Sequence, residues 1–145
     1  MGRPCFHLSI PCHDLALTER WYVDGLGCVA GRRSNHALIL DLQGHQLVLQ
    51  RTEPSDEPVQ PGIYPRHFGL VFDSLSLWQQ WLERARKTGL RFGVEPKLRF
   101  AGEVLEHHTF FLIDPASNWL EFKHYTEPTA VLGCRDQRHV GERRC

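Results

Sequence analysis

Displacing the chain by sixty residues lays His7 on His67, Leu15 on Leu75, Leu17 on Leu77 and Trp21 on Trp81. Further along, a displacement of seventy-three lays Asp41 on Asp114, Leu47 on Leu120, Val48 on Glu121 and Leu49 on Phe122. Matches confined to strand-like and helix-like stretches, with the extra residues falling between them, are the mark of an internal repeat. A repeat of this kind is restrictive. Both halves must share one topology, and a unit with too few helices to cover its sheet must complete its burial with its twin.

Each half reads β-α-β-β-β. In the first, Phe6 to Cys12 alternates as a strand, Asp14 caps a helix from Leu15 to about Leu26, and Gly27 ends it. Strands are expected over Cys28 to Arg32, His36 to Leu42 and Gln46 to Arg51, with a turn at Gln43-Gly44-His45. The segment from Thr52 to Pro65 holds four prolines and reads as a connector. In the second half His67 to Asp73 is a strand, and Asp73 or Ser74 caps a helix with Leu75, Trp78, Trp81, Leu82 and Ala85 on one stripe, ended by Gly89. Leu90 to Val94, a turn-containing stretch through Pro96 and Gly102, and strands over His107 to Ile113 and Trp119 to Tyr125 complete it. At 145 residues and 41% apolar content the chain has one core to build, so residues 1–125 are read as a single domain. Its modules span about 5–52 and 66–125, joined by 53–65, and 126–145 is a C-terminal tail, expected as an extended or mobile arm. The fold class is α+β, two tandem βαβββ modules forming a curved sheet around a metal-containing cavity.

Period-two alternation assigns the faces. Phe6, Leu8, Ile10, Phe68, Leu70, Phe72, Leu120 and Phe122 belong under the helices. The opposite face then carries His7, His67 and Glu121, and a carboxylate among apolar neighbours calls for a cationic partner. Two imidazoles and one carboxylate form the facial set associated with non-haem Fe(II) and oxygen chemistry, and zinc could use the same atoms. Gln46 and Gln50 share the face of Val48, while Lys123 and Tyr125 share that of Glu121, and all but Val48 are candidates to bind substrate or move its protons. Arg99 is a candidate clamp for an acidic substrate. Alternation admits only one of His107 and His108 to the cavity without deciding which, and His108 is taken as the candidate acid or base, with Tyr125 and His45 as further proton-transfer candidates. His124 faces the helices.

His7 with Asp14, the helix end Leu26-Gly27, the His67 strand and Asp114-Pro-Ala-Ser-Asn-Trp-Leu-Glu-Phe122 resemble the vicinal oxygen chelate superfamily of glyoxalase I, extradiol dioxygenases and bleomycin-resistance proteins. More narrowly, Gly44-His-Gln46, His67-Phe-Gly69, Glu95-Pro96, Arg99-Phe100 and Leu120-Glu-Phe-Lys123 resemble a bacterial group of extradiol-type dioxygenases. The resemblance implies a metal on His7, His67 and Glu121, matching the set read from the faces. It also implies a homodimer. Glyoxalase I takes a further glutamate from its fourth strand, where the repeat here places Val48. Three protein ligands leave room for a chelating substrate and O2 together, whereas four suit isomerisation. The expected function is therefore an Fe(II)-dependent extradiol-like dioxygenase acting on a small catechol-like substrate, with Mn, Ni or Zn as the alternative metals. The rival readings are a glyoxalase-like isomerase or lyase and a metal-free drug-binding protein.

A formal net charge of zero gives no general attraction to nucleic acid or an anionic membrane, and no stretch has the length of a membrane span. Five cysteines without a CxxC argue against a disulfide framework or structural zinc site, and a cytoplasmic location is expected.

Overall fold

The computed structural model describes residues 2–54, 59–141 and 143–144. Strand β1 (His7–Cys12) turns Leu8 and Ile10 toward the core and leaves His7 and Ser9 exposed. Phe6, expected beside them, precedes the strand and stays 63% exposed. The Asp14 carboxylate accepts the Leu17 N–H at 3.0 Å and starts helix α1 (Leu15–Arg20).

The expected single α-helix does not run to Leu26. From Trp21 to Leu26 the chain winds as a π-helix, closed by Gly27 at φ +96°. Its end is tied to the other module. Arg84 donates to the carbonyls of Asp24 and Gly25 at 3.1 Å each, and the Thr88 hydroxyl also donates to Gly25 O at 3.1 Å. These donors from outside satisfy last-turn carbonyls that have no helical partner.

The first sheet is ordered β1-β4-β3-β2, with β2 (Val29–Arg33), β3 (Ala37–Leu42) and β4 (His45–Arg51). β1 runs parallel to β4 and the other pairs are antiparallel. The second sheet repeats this as β5-β8-β7-β6, with β5 (Phe68–Val71), β6 (Phe92–Arg99), β7 (His107–Ile113) and β8 (Trp119–Tyr125). Ser74 caps helix α2 (Leu75–Lys87) by accepting the Leu77 N–H. Pro96, expected in a turn, lies inside β6. An edge strand tolerates a proline because one side needs no ladder bond, and the register against β7 shifts between Val94 and Lys97.

The two modules share one core. Leu26, Leu38, Leu40 and Leu49 from the first and Phe110, Leu112, Leu120 and Phe122 from the second belong to the same buried cluster. Polar bonds also join them. The buried Tyr22 hydroxyl donates to Asp114 at 2.7 Å, and Asn118 Nδ2 donates to Pro11 O at 2.9 Å. Trp78 is buried in the α2 stripe, its indole N–H donating to Phe122 O.

After Tyr125 the chain forms a 3-10 turn (Pro128–Ala130) and a small hairpin of β9 (His139–Val140) and β10 (Arg143–Arg144), in place of the expected arm. It folds back on the second sheet, where Arg99 donates to Gly141 O at 3.2 Å and Phe100 meets the His139 ring at 5.2 Å. Cys5, Cys12, Cys28 and Cys134 are free thiols, and burial pushes that of Cys28 up to about 12. Among the described residues no helix is long and apolar enough to cross a membrane.

Candidate functional site

Parallel pairing of β5 with β8 sets Gly69 opposite Glu121. The backbones approach so closely that an added Cβ at Gly69 would fall 1.6 Å from Glu121 O, so only glycine fits. His67 immediately precedes β5 and lines up beside that pairing. Its Nδ1 is 2.6 Å from Ile63 O, and a carbonyl can only accept, so Nδ1 carries the proton. Nε2 faces Glu121 Oε1 at 3.3 Å.

The carboxylate is 9% exposed and well supplied with donors. Thr109 Oγ1 donates to Oε2 at 2.6 Å, and Lys123 Nζ stands 3.6 Å from Oε1. Burial pushes the Glu121 carboxyl up, but hydrogen bonding from His67, the Lys123 charge and the Thr109 hydroxyl together outweigh it and bring it down to about 2. The Glu121 bond raises His67 in return. With its Nδ1 proton fixed, a neutral His67 would present a lone pair to a second lone pair on Glu121. What fits between them is a positive charge, whether a proton or a metal ion. Anchoring of one imidazole nitrogen by a carbonyl is the arrangement that orients metal-binding histidines, so the donor set fits a divalent cation.

His7 is not part of this group. It sits on the other sheet, exposed, with Nδ1 2.7 Å from Gln46 Oε1, the side chain of its register partner. Within the chain and among the described residues, no three His, Cys, Asp or Glu side chains gather to hold a metal. The sheets remain two four-stranded ones, with His7 on one and His67 and Glu121 on the other. Gln46, Val48 and Gln50 share the His7 face, Val48 being buried and Gln50 exposed.

The second module holds the other candidates on the Glu121 face. Cross-strand partners point to the same side, and β7 pairs with β8 through Phe111 and Glu121, Thr109 and Lys123, and His107 and Tyr125. His107 is therefore the histidine on the Glu121 face, and His108 is not. His108 pairs with His124 on the helix side, its ring 5.2 Å from Trp78. His107 is 5% exposed, with Nδ1 2.9 Å from Leu105 O and its ring 4.8 Å from Tyr125. Burial lowers its pKa, aided by Lys123 and Arg99, so Nε2 offers a lone pair at neutral pH. Lys123 Nζ is 3.3 Å from the Tyr125 hydroxyl, and Arg99 extends the His107 row from β6. His45 leaves the set as well: it opens β4 on the side of Leu47, and its Nδ1 accepts the Phe6 N–H at 3.2 Å. Sequence reasoning missed Thr109, which period-two spacing from His107 could have found, and Ile63, whose backbone role has no signature in residue type. Between the modules opens a cleft of about 540 Å³, lined by Ser9, His13, Gln60, His67 and Trp119 among others.

A family model for the glyoxalase/bleomycin resistance protein/dioxygenase superfamily matches residues 5–122. The chain belongs to this superfamily. A glyoxalase/bleomycin resistance protein/dioxygenase from Alicyclobacillus acidocaldarius is 38% identical, over 88% of this chain and 95% of that one, with a TM-score of 0.83. The glyoxalase fold is shared more distantly with lactoylglutathione lyase from Agrobacterium tumefaciens, at 17% identity over 85% and 94% of the chains and a TM-score of 0.64. The fosfomycin resistance protein FosX from Listeria monocytogenes also shares it, at 15% identity over 90% and 99% and a TM-score of 0.68. No curated protein matches. Glyoxalase superfamily members include metal-dependent enzymes, act on small molecules and often dimerise.

Proposed function

We propose that this chain is a metal-dependent enzyme of the vicinal oxygen chelate type, an extradiol-type dioxygenase acting with O2 on a small catechol-like substrate. The carrying observation is the His67–Glu121 pair, with one imidazole nitrogen tied to Ile63 O and the other 3.3 Å from a buried, ionised carboxylate. His7 has the same character, since Gln46 Oε1 occupies its Nδ1 and the residue is exposed. His7 of a second copy completes the donor set of a homodimer. That supports three ligands, because Val48 stands where the repeat would put a fourth and its side chain cannot coordinate. Three ligands favour the dioxygenase over an isomerase.

His67, Glu121 and His7 of a second copy would hold a divalent ion, Fe(II) before Mn, Ni or Zn, which would supply Lewis acidity toward the substrate hydroxyls and redox capacity toward O2. The chain's own groups do the rest. The buried, neutral His107 Nε2 takes a hydroxyl proton from the substrate. The Tyr125 hydroxyl and Lys123 ammonium hold the substrate on the Glu121 side, and Gln46 and Gln50 hydrogen-bond it from the His7 side. Thr109 keeps Glu121 in one orientation.

Anaerobic reconstitution with Fe(II), followed by oxygen uptake on a catechol panel, tests the reaction. His67→Ala and Glu121→Ala are expected to lose most of the bound metal. Co-expressing His7→Ala with Glu121→Ala chains should restore about a quarter of the wild-type activity through the one intact site of each mixed dimer. Recovery of none would place His7 outside a shared site.

A further inference from the structure

Register gathers basic side chains on the Glu121 face of the second sheet. Lys97 lies beside Thr109 and Lys123, and Arg99 beside His107 and Tyr125. Glu95 turns away from that face to Arg86 of α2, at 3.7 Å. Lys123 does not come from the duplication, because the repeat lays it on Gln50.

Lys123 is the sharpest case. Its side chain is 28% exposed, and its ammonium stands between Glu121 Oε1 at 3.6 Å and the Tyr125 hydroxyl at 3.3 Å. On the reading proposed above, Glu121 gives its charge to a divalent cation. Lys123 is then a part-buried cation beside a dication, with the Tyr125 hydroxyl and ring as its neighbours, an arrangement that favours an arriving anion. The Tyr125 O–H accepts from Lys123 and retains its own proton to donate. Ammonium and hydroxyl, 3.3 Å apart, offer one donor to each oxygen of a carboxylate.

We infer that the substrate carries an ionised carboxylate besides its adjacent oxygen pair, and that Lys123 with Tyr125 receives it. This inference rests on the metal reading and narrows its substrate class to catechol carboxylates.

The test uses full-length protein loaded with Co(II), whose visible absorption reports both metal uptake and ligand binding. Catechol is titrated beside 2,3-dihydroxybenzoate, 3,4-dihydroxybenzoate and 3,4-dihydroxyphenylacetate. At least one acid should bind about tenfold more tightly than catechol, with a preference that shrinks as salt rises. Lys123→Met should take up Co(II) and lose the preference, and Lys123→Arg should keep it. Co(II) uptake with no acid preferred over catechol overturns the inference and leaves the metal reading standing, as does a preference that survives in Lys123→Met. Failure to take up Co(II) overturns both.

Discussion

Where a proton sits on an imidazole decides what each histidine of this chain can do. His67 and His107 both give their Nδ1 proton to a backbone carbonyl and turn Nε2 toward the Glu121 face. His108, one residue away, has a buried Nδ1 with no hydrogen-bond partner among the described residues. Burial, then the neighbouring His124, hold the His108 ring below its ordinary value of 6.5, against the pull of Glu106. Below that pH the unfolded chain takes up a proton that the folded ring refuses, so this residue erodes stability as pH falls. His108→Phe should narrow the drop in urea midpoint between pH 7 and pH 5, and should stabilise the protein by about 1 kcal/mol through loss of the unsatisfied nitrogen. A variant as acid-sensitive as the wild type would rule out this role. The residue scale also marks where sequence reading stops. Thr109-Phe-Phe-Leu-Ile is apolar at successive positions, so no alternation tells His107 from His108, and the choice is made only by register against β8.

At the scale of elements, the repeat made the strand count and sheet order of each module legible, because alternation, caps and closing glycines agree in both halves. Departures occur where a distant group acts on local preference. The π-helical turn at Trp21–Leu26 is tied at its end to Arg84 and Thr88, some sixty residues away. β6 continues through Pro96 because its outer edge is unpaired. Within β6, Gly93 leaves room for Trp119, whose ring would lie 2.3 Å from an added Cβ. Gly93→Ala is expected to cost about 1 to 3 kcal/mol in thermal or urea denaturation, and pairing it with Trp119→Leu should recover most of that loss.

Over the whole molecule, the three candidate ligands were legible as residues but not as one site. Their convergence depends on how the modules pack, and no periodicity encodes that. Packing within the chain is instead fixed by Tyr22 with Asp114, Asn118 with Pro11 O, and Arg84 with the carbonyls of the π-helical turn. Arg84→Met should lower stability by about 2 kcal/mol, since it removes charged hydrogen bonds to carbonyls that keep no helical partner.

The connector enters none of these ties. A backbone opened between Pro54 and Val59 would separate two polypeptides that still own a common interior and matching polar studs. Supplied from separate messages, with an affinity handle on either one, the halves should copurify at equal stoichiometry. Such a pair would behave as the unfused ancestor that the duplication implies.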